Sequence, residues 1–148
     1  MSSVAIEEFI VMAEGYFKQC DYVEAAVLFG SFAEGVMNTL SDVDIGILAV
    51  RDISLIEIGC LTSGLESLFK RNVDVIILNG LQNKNPALAY EIATKGKALY
   101  CKERERFVEF KTLAVISFID TAPLREAVGR GLRERLRSGR FGERNYAG

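Results

Sequence analysis

The spacing of apolar residues along this chain changes period several times, and each change predicts an element. Val4, Phe9, Met12 and Phe17 follow Ser3 at helical spacing with Glu7 and Glu8 among them, which predicts an amphipathic helix ending near Lys18. Ala25 to Phe29 is a short apolar run closed by Gly30-Ser31, and its length suits a buried strand. From Asp42 to Leu48, polar or small residues alternate with β-branched ones, the period of two that marks a strand. Ser54 and Glu57 form an S-x-x-E capping box ahead of Ile58, Leu61, Leu65 and Leu68, so a helix is expected to about Lys70. Val73-Asp74-Val75-Ile76-Ile77-Leu78 is strongly β-prone and is expected as a central strand.

Asn85-Pro86 sets a cap residue before a proline at the first helical position, and Gly96 closes that helix. Ala98-Leu99-Tyr100 reads as a short edge strand. Two helices are expected next. Phe107, Phe110, Ala114 and Phe118 mark a face of the first, and Leu124, Val128, Leu132 and Leu136 mark the second. Asp120-Thr121-Ala122-Pro123 is the expected joint between them. This order predicts an α/β domain: a small mixed β-sheet flanked by helices, with a C-terminal helical arm. The core is assigned to residues 1–101, and the arm with its basic tail to residues 102–148, within one structural unit.

Composition narrows the chemistry. The chain has 148 residues, 49% of them hydrophobic and 26% charged, which suits one globular domain with a core of its own. No apolar stretch approaches the ~20 residues of a membrane span, and the N-terminus lacks the pattern of a signal peptide, so a cytoplasmic protein is expected. Cys20, Cys60 and Cys101 form no CxxC pair and are expected to be buried free thiols. Histidine is absent altogether, which excludes Ser-His-Asp and Cys-His catalysis. Carboxylates, hydroxyls, Lys and Arg remain. Net charge is −2 but uneven: residues 1–120 carry 11 Lys+Arg against 17 Asp+Glu, whereas residues 121–148 carry 7 against 3. Only Phe141 and Tyr146 are interleaved with that arginine-rich tail, so a nucleic-acid partner is not expected.

The candidate chemistry lies in Gly30-Ser31 and, ten residues on, Asp42-Val43-Asp44. Residues two apart on a strand project to the same face, so both carboxylates stand side by side and repel unless a cation lies between them. Oxygen ligands without His or Cys suit Mg²⁺, or Mn²⁺, rather than zinc. Asp74 interrupts an apolar strand; if that strand lies beside the first, it joins the cluster, and three carboxylates can hold two ions. A glycine at a strand end admits phosphate to the backbone, and the Ser31 hydroxyl with following N–H groups can cradle a polyphosphate. Four such fixed positions coincide by chance on the order of 10⁻³ times per chain of this length, so the combination is far more specific than either half.

Gly30-Ser31 with Asp42-x-Asp44 and a later strand aspartate resembles the G-S-x10-D-x-D pattern of the DNA polymerase β-type nucleotidyltransferase superfamily. Leu28-Phe29-Gly30-Ser31-Phe32-Ala33-Glu34-Gly35, continued by Leu40 to Leu48, is most similar to its minimal branch, the MNT antitoxins of HEPN/MNT pairs. The resemblance implies a nucleotidyltransferase fold in which Gly30 and Ser31 bind the triphosphate of ATP. It makes Asp42, Asp44 and Asp74 metal ligands, with Asp74 also the base for the acceptor hydroxyl. It further implies AMP transfer to a tyrosine of a helical HEPN toxin encoded alongside. Many members carry Arg where this chain has Glu34, which removes a candidate phosphate partner. A second reading is therefore an antitoxin that neutralises its partner by binding only. A third, an enzyme acting on a small molecule such as an aminoglycoside, is disfavoured because little chain remains for an acceptor domain. The apolar faces of the last helices can pair with a second copy or with a partner.

Overall fold

The structure is a computed structural model and describes residues 3–30 and 42–138. The amphipathic N-terminus forms α1 (Ser3–Lys18), and the first apolar run forms β1 (Val23–Phe29). The alternating run forms β2 (Val43–Ala49), followed by α2 (Leu55–Phe69) and β3 (Val73–Ile77). A single turn, α3 (Leu81–Lys84), leads into α4 (Pro86–Lys95), β4 (Lys97–Cys101) and the long α5 (Arg104–Ser138). The architecture is the expected mixed four-stranded sheet between helices.

The sheet runs in the order β3-β2-β1-β4; β1 is antiparallel to β2 and β4, and β2 is parallel to β3. Its two faces are covered by different helices. Val43, Ile45 and Ile47 of β2 point to one face with Val73 of β3, where Ala13 and Phe17 of α1 and Leu61, Leu65 and Phe69 of α2 bury them. Phe9 of α1 meets Phe69 of α2 edge-on, with ring centroids 4.8 Å apart, which locks those helices together. On the other face Val27, Phe29 and Leu78 pack under Leu81, Ala89, Ile92, Phe110 and Ala114. β1 is buried at every position because both its faces are covered. Gly46 lets Leu78 lie directly over β2, since a Cβ there would come within 2.7 Å of its Cδ2.

Local signals fix the ends. The Ser54 hydroxyl accepts from the Glu57 N–H at 3.1 Å while the Glu57 carboxylate accepts from the Ser54 N–H at 3.0 Å, completing the capping box. The Arg51 guanidinium, 2.8 Å from Glu57, and that same N–H hold the Glu57 carboxyl down to about 2. The Asn85 side chain caps α4 by accepting from Leu88 N–H. Asn79 extends the pairing of β2 beyond β3: its amide accepts from Ala49 N–H and donates to Ala49 C=O, both at 2.8 Å.

Several expectations are corrected. β3 is an edge strand, not a central one. Its apolar residues are satisfied by partial cover from α2 and α4's layer, and its burial falls from Val73 to half-exposed positions. The expected break at residues 120–123 does not occur; α5 continues through Pro123. The carbonyl that proline orphans belongs to Ile119, an exposed residue, and the Thr121 hydroxyl donates to Ser117 C=O nearby. Met12 faces outward, and Phe9, Ala13 and Phe17 form the buried stripe of α1 instead. The three cysteines are free as expected, but Cys60 and Cys101 are exposed and Cys20 is only half-buried. β1 starts two residues earlier than its apolar run, taking in the buried Glu24.

The capping box gives a direct test of how the end of α2 is held. Ser54→Ala is expected to lower stability by about 1 kcal/mol in urea unfolding. Ser67→Ala, an exposed position in the same helix, should stay within about 0.5 kcal/mol of wild type.

Candidate active site

The parallel pairing of β2 with β3 decides the geometry. The Val43 N–H donates to Asn72 C=O at 2.9 Å, and the register that follows sets Val43 against Val73 and Asp44 against Asp74. Neighbouring strands run about 4.8 Å apart and register partners face the same side, so the two carboxylates share one edge of the second face. Asp42 immediately precedes β2 at that edge and is exposed, as is Asp74, while Asp44 is half-buried. Burial pushes the Asp44 carboxyl above the ordinary aspartate range, and the negative charges of Asp74 and then Asp42 push it further. Asp74 and Asp42 therefore both act on Asp44.

Phe29 at the end of β1 pairs with Asp44, and the next residue, Gly30, turns the chain with φ +77°. A Cβ at Gly30 would strike Oδ2 of Asp44, so this position demands glycine both for its left-handed backbone and for the space beside the carboxylate. Gly30 and the acidic edge thus adjoin. Ser31 lies outside the described residues, as does Glu34.

Among the described residues, no three acidic or thiol groups are drawn tightly enough together to cage an ion by themselves. Asp44 and Asp74 with Asp42 at the rim instead offer an open set of oxygen donors. Mg²⁺ characteristically binds in that manner, through one or two carboxylates together with substrate phosphates and water. The donor chemistry and the repulsion felt at Asp44 both fit such an ion.

The family described as polymerase beta, nucleotidyltransferase matches residues 13–105, from α1 to the start of α5. The chain belongs to this nucleotidyltransferase family. The matched span includes Gly30 and all three aspartates. No curated protein matches the sequence. Among solved structures, a toxin–antitoxin assembly with AMP-PNP contains a chain 23% identical, with a TM-score of 0.66, covering 76% of this chain and 87% of its own. A chain of the MntA-HepT toxin–antitoxin is 19% identical with a TM-score of 0.65, covering 89% of this chain and 99% of its own. The tri-AMPylated HEPN toxin of Shewanella oneidensis in complex with its MNT antitoxin supplies a chain 21% identical, with a TM-score of 0.59, over 76% of this chain and 84% of its own. At these identities the likeness is one of fold. The nucleotidyltransferase fold expected from the motif is the fold observed.

Sequence reasoning singled out Gly30 and the three aspartates but not Asn72, whose backbone carbonyl accepts from Val43 N–H where the pairing of β2 with β3 begins. No signal in its side chain marks it. Among the described residues, no helix is long and apolar enough to cross a membrane.

The raised Asp44 carboxyl has a consequence for stability. The folded protein holds a proton there at pH values where the unfolded chain has lost it. The contribution of this group to stability is therefore greatest at low pH and falls as pH rises through the raised value. In protein stripped of divalent cations, Asp44→Asn is expected to melt above wild type at pH 7. The difference should shrink to nothing as pH drops below the ordinary aspartate range, in thermal melts across a pH series.

Proposed function

We propose that this nucleotidyltransferase moves AMP from ATP to a hydroxyl on a partner protein, a tyrosine of a HEPN-type helical toxin, and thereby acts as its antitoxin. The observation that carries this reading is the pairing of Asp44 with Asp74 beside the left-handed Gly30. A paired carboxylate edge beside a strand-end glycine is what phosphoryl transfer needs from a protein: positioning and compensation of charge, with little covalent work. Asp42, Asp44 and Asp74 would hold Mg²⁺, or Mn²⁺. When bound, the ion neutralises charge developing on the transferring phosphate and the leaving pyrophosphate.

The residues of the chain divide the remaining work. Gly30, with Ser31 after it, receives the triphosphate at the end of β1 and holds it against the acidic edge. Asp74, exposed on the outermost strand, is reachable by a hydroxyl presented from another molecule and takes its proton. The hydroxyl oxygen then bonds to the α-phosphorus as the bond to pyrophosphate breaks, leaving an AMP ester on the acceptor. An edge strand suits this role because, among the described residues, no further strand covers it.

Choice of partner is supported by the fold neighbours. One was captured with AMP-PNP in a toxin–antitoxin assembly and another beside a tri-AMPylated HEPN toxin. Glu34, in place of an arginine common in the family, favours a second reading in which the chain neutralises its partner by docking alone.

One experiment separates these readings. The chain is incubated with its co-expressed helical partner, ATP and Mg²⁺, and the partner is weighed by mass spectrometry. Wild type is expected to add AMP to a tyrosine. Asp42→Ala and Asp44→Asn should each slow transfer by on the order of 10² or more, as expected for the loss of one preorganised electrostatic contact. Equal transfer from Asp42→Ala rejects the proposed site. A partner neutralised by both variants without any added mass supports the docking reading.

A further inference from the structure

The opposite end of the second face carries a different site. Leu48 lies four residues beyond Asp44 along β2, a separation of about 13 Å. There Leu48, Leu78, Phe110 and Leu113 wall a cavity of about 160 Å³ whose polar lining includes Glu24, Arg106 and Glu109. Arg106, Glu109, Phe110 and Leu113 sit at helical spacing on one stripe of α5, so the cavity lies between that stripe and the sheet.

Glu24 is the anomaly. It is 5% exposed, the one buried charged or polar residue among those described. Its backbone carbonyl accepts from Lys102 N–H, but among the described residues no hydrogen bond or ion pair reaches its carboxylate. Arg106 lines the same cavity, yet no ion pair joins it to Glu24. The charge of Glu24 is felt nearby: the Cys101 thiol is pushed up by burial and then by Glu24, against the opposing pull of Arg104 and Lys111. A buried carboxylate without a partner is costly, and a cation supplied from outside relieves that cost.

We infer that this cavity is a binding site for a guanidinium group carried on a short apolar stem, separate from the nucleotide site. The volume sets the size: a cavity of about 150 Å³ accommodates one aromatic ring, and a planar guanidinium with its methylenes occupies similar space. The walls set the chemistry. A guanidinium is delocalised and weakly hydrated, so it enters an apolar cleft at less cost than an ammonium and can meet a carboxylate with two parallel hydrogen bonds. Exposed Leu113 at the rim receives the stem. The group can come from a free alkylguanidine or from an arginine side chain of a docked protein.

The test uses the full chain, isotope-labelled and followed by amide NMR, titrated at low millimolar concentration. The probes are butylguanidinium, its neutral analogue butylurea, and an acetyl-Arg-amide peptide with its citrulline counterpart. Saturable shifts at Ala49, Asn79, Gly80 and Leu113 with a guanidinium probe are expected, and none with butylurea or the citrulline peptide. Glu24→Gln, and Glu24→Asp as a variant that keeps the charge on a shorter stem, should weaken binding at least tenfold. Binding of butylguanidinium as tight as the peptide identifies a free ligand, whereas binding of the peptide alone identifies a protein arginine. No saturable shift with either cationic probe, equal shifts with the neutral ones, or undiminished binding by Glu24→Gln overturns the inference. Because AMP transfer is not among the readouts, these results stand or fall apart from the proposed activity.

Discussion

Two like charges held in parallel register are the constraint on which this molecule depends. Left to themselves, Asp44 and Asp74 would separate. The pairing of β2 with β3 denies them that, because the Val43 N–H is committed to Asn72 C=O and every partner beyond follows. A slip by one residue would turn Val43, Ile45 and Ile47 out of the core and is far more costly than the repulsion. The hydrophobic burial under α1 and α2 thus stabilises an arrangement that the carboxylates alone oppose; the Asp44 carboxyl is raised first by its own burial and then by the charges of Asp74 and Asp42.

The second face of the sheet is consequently divided along its length. Near the start of β2 it carries the acidic edge and Gly30. In the middle, Gly46 and Leu78 interlock without room for a methyl group. At the far end lies the cavity around Glu24. α5 spans this layer: Phe110 and Ala114 are buried in it, and the Ser117 hydroxyl donates to Gln82 C=O at 2.8 Å, tying the long helix to α3. Ile116 and Ile119, on either side of Ser117, remain exposed. Two chemically unlike sites can coexist because the packed middle separates them.

The fold neighbours share only 18% to 23% of their residues with this chain and yet superpose with TM-scores of 0.58 to 0.66. Patterning and volume define such a fold more than particular side chains do, since cores tolerate wide substitution when burial is kept. Activity is different in kind. It depends on a few groups at fixed places, and belonging to the nucleotidyltransferase family bears on those groups through the span that holds Gly30 and the aspartates.

The sequence by itself determined whatever is written within a short window. The period of two at Asp42–Leu48, the capping box at Ser54 and Glu57, the Asn85-Pro86 start and the Gly30 turn are local signals, and each produced its element. Asp42 and Asp44 stood out in the sequence because residues two apart on a strand project to the same face. Tertiary structure decided what lies next to what. It set β3 at the edge, paired Asp44 with Asp74, carried α5 through Pro123 and buried Glu24 at the start of β1. None of these can be read from a window, because strand order and the cover over a charged residue are chosen by the burial of the whole chain, and a proline breaks a helix only where its lost hydrogen bond finds neither water nor packing to replace it.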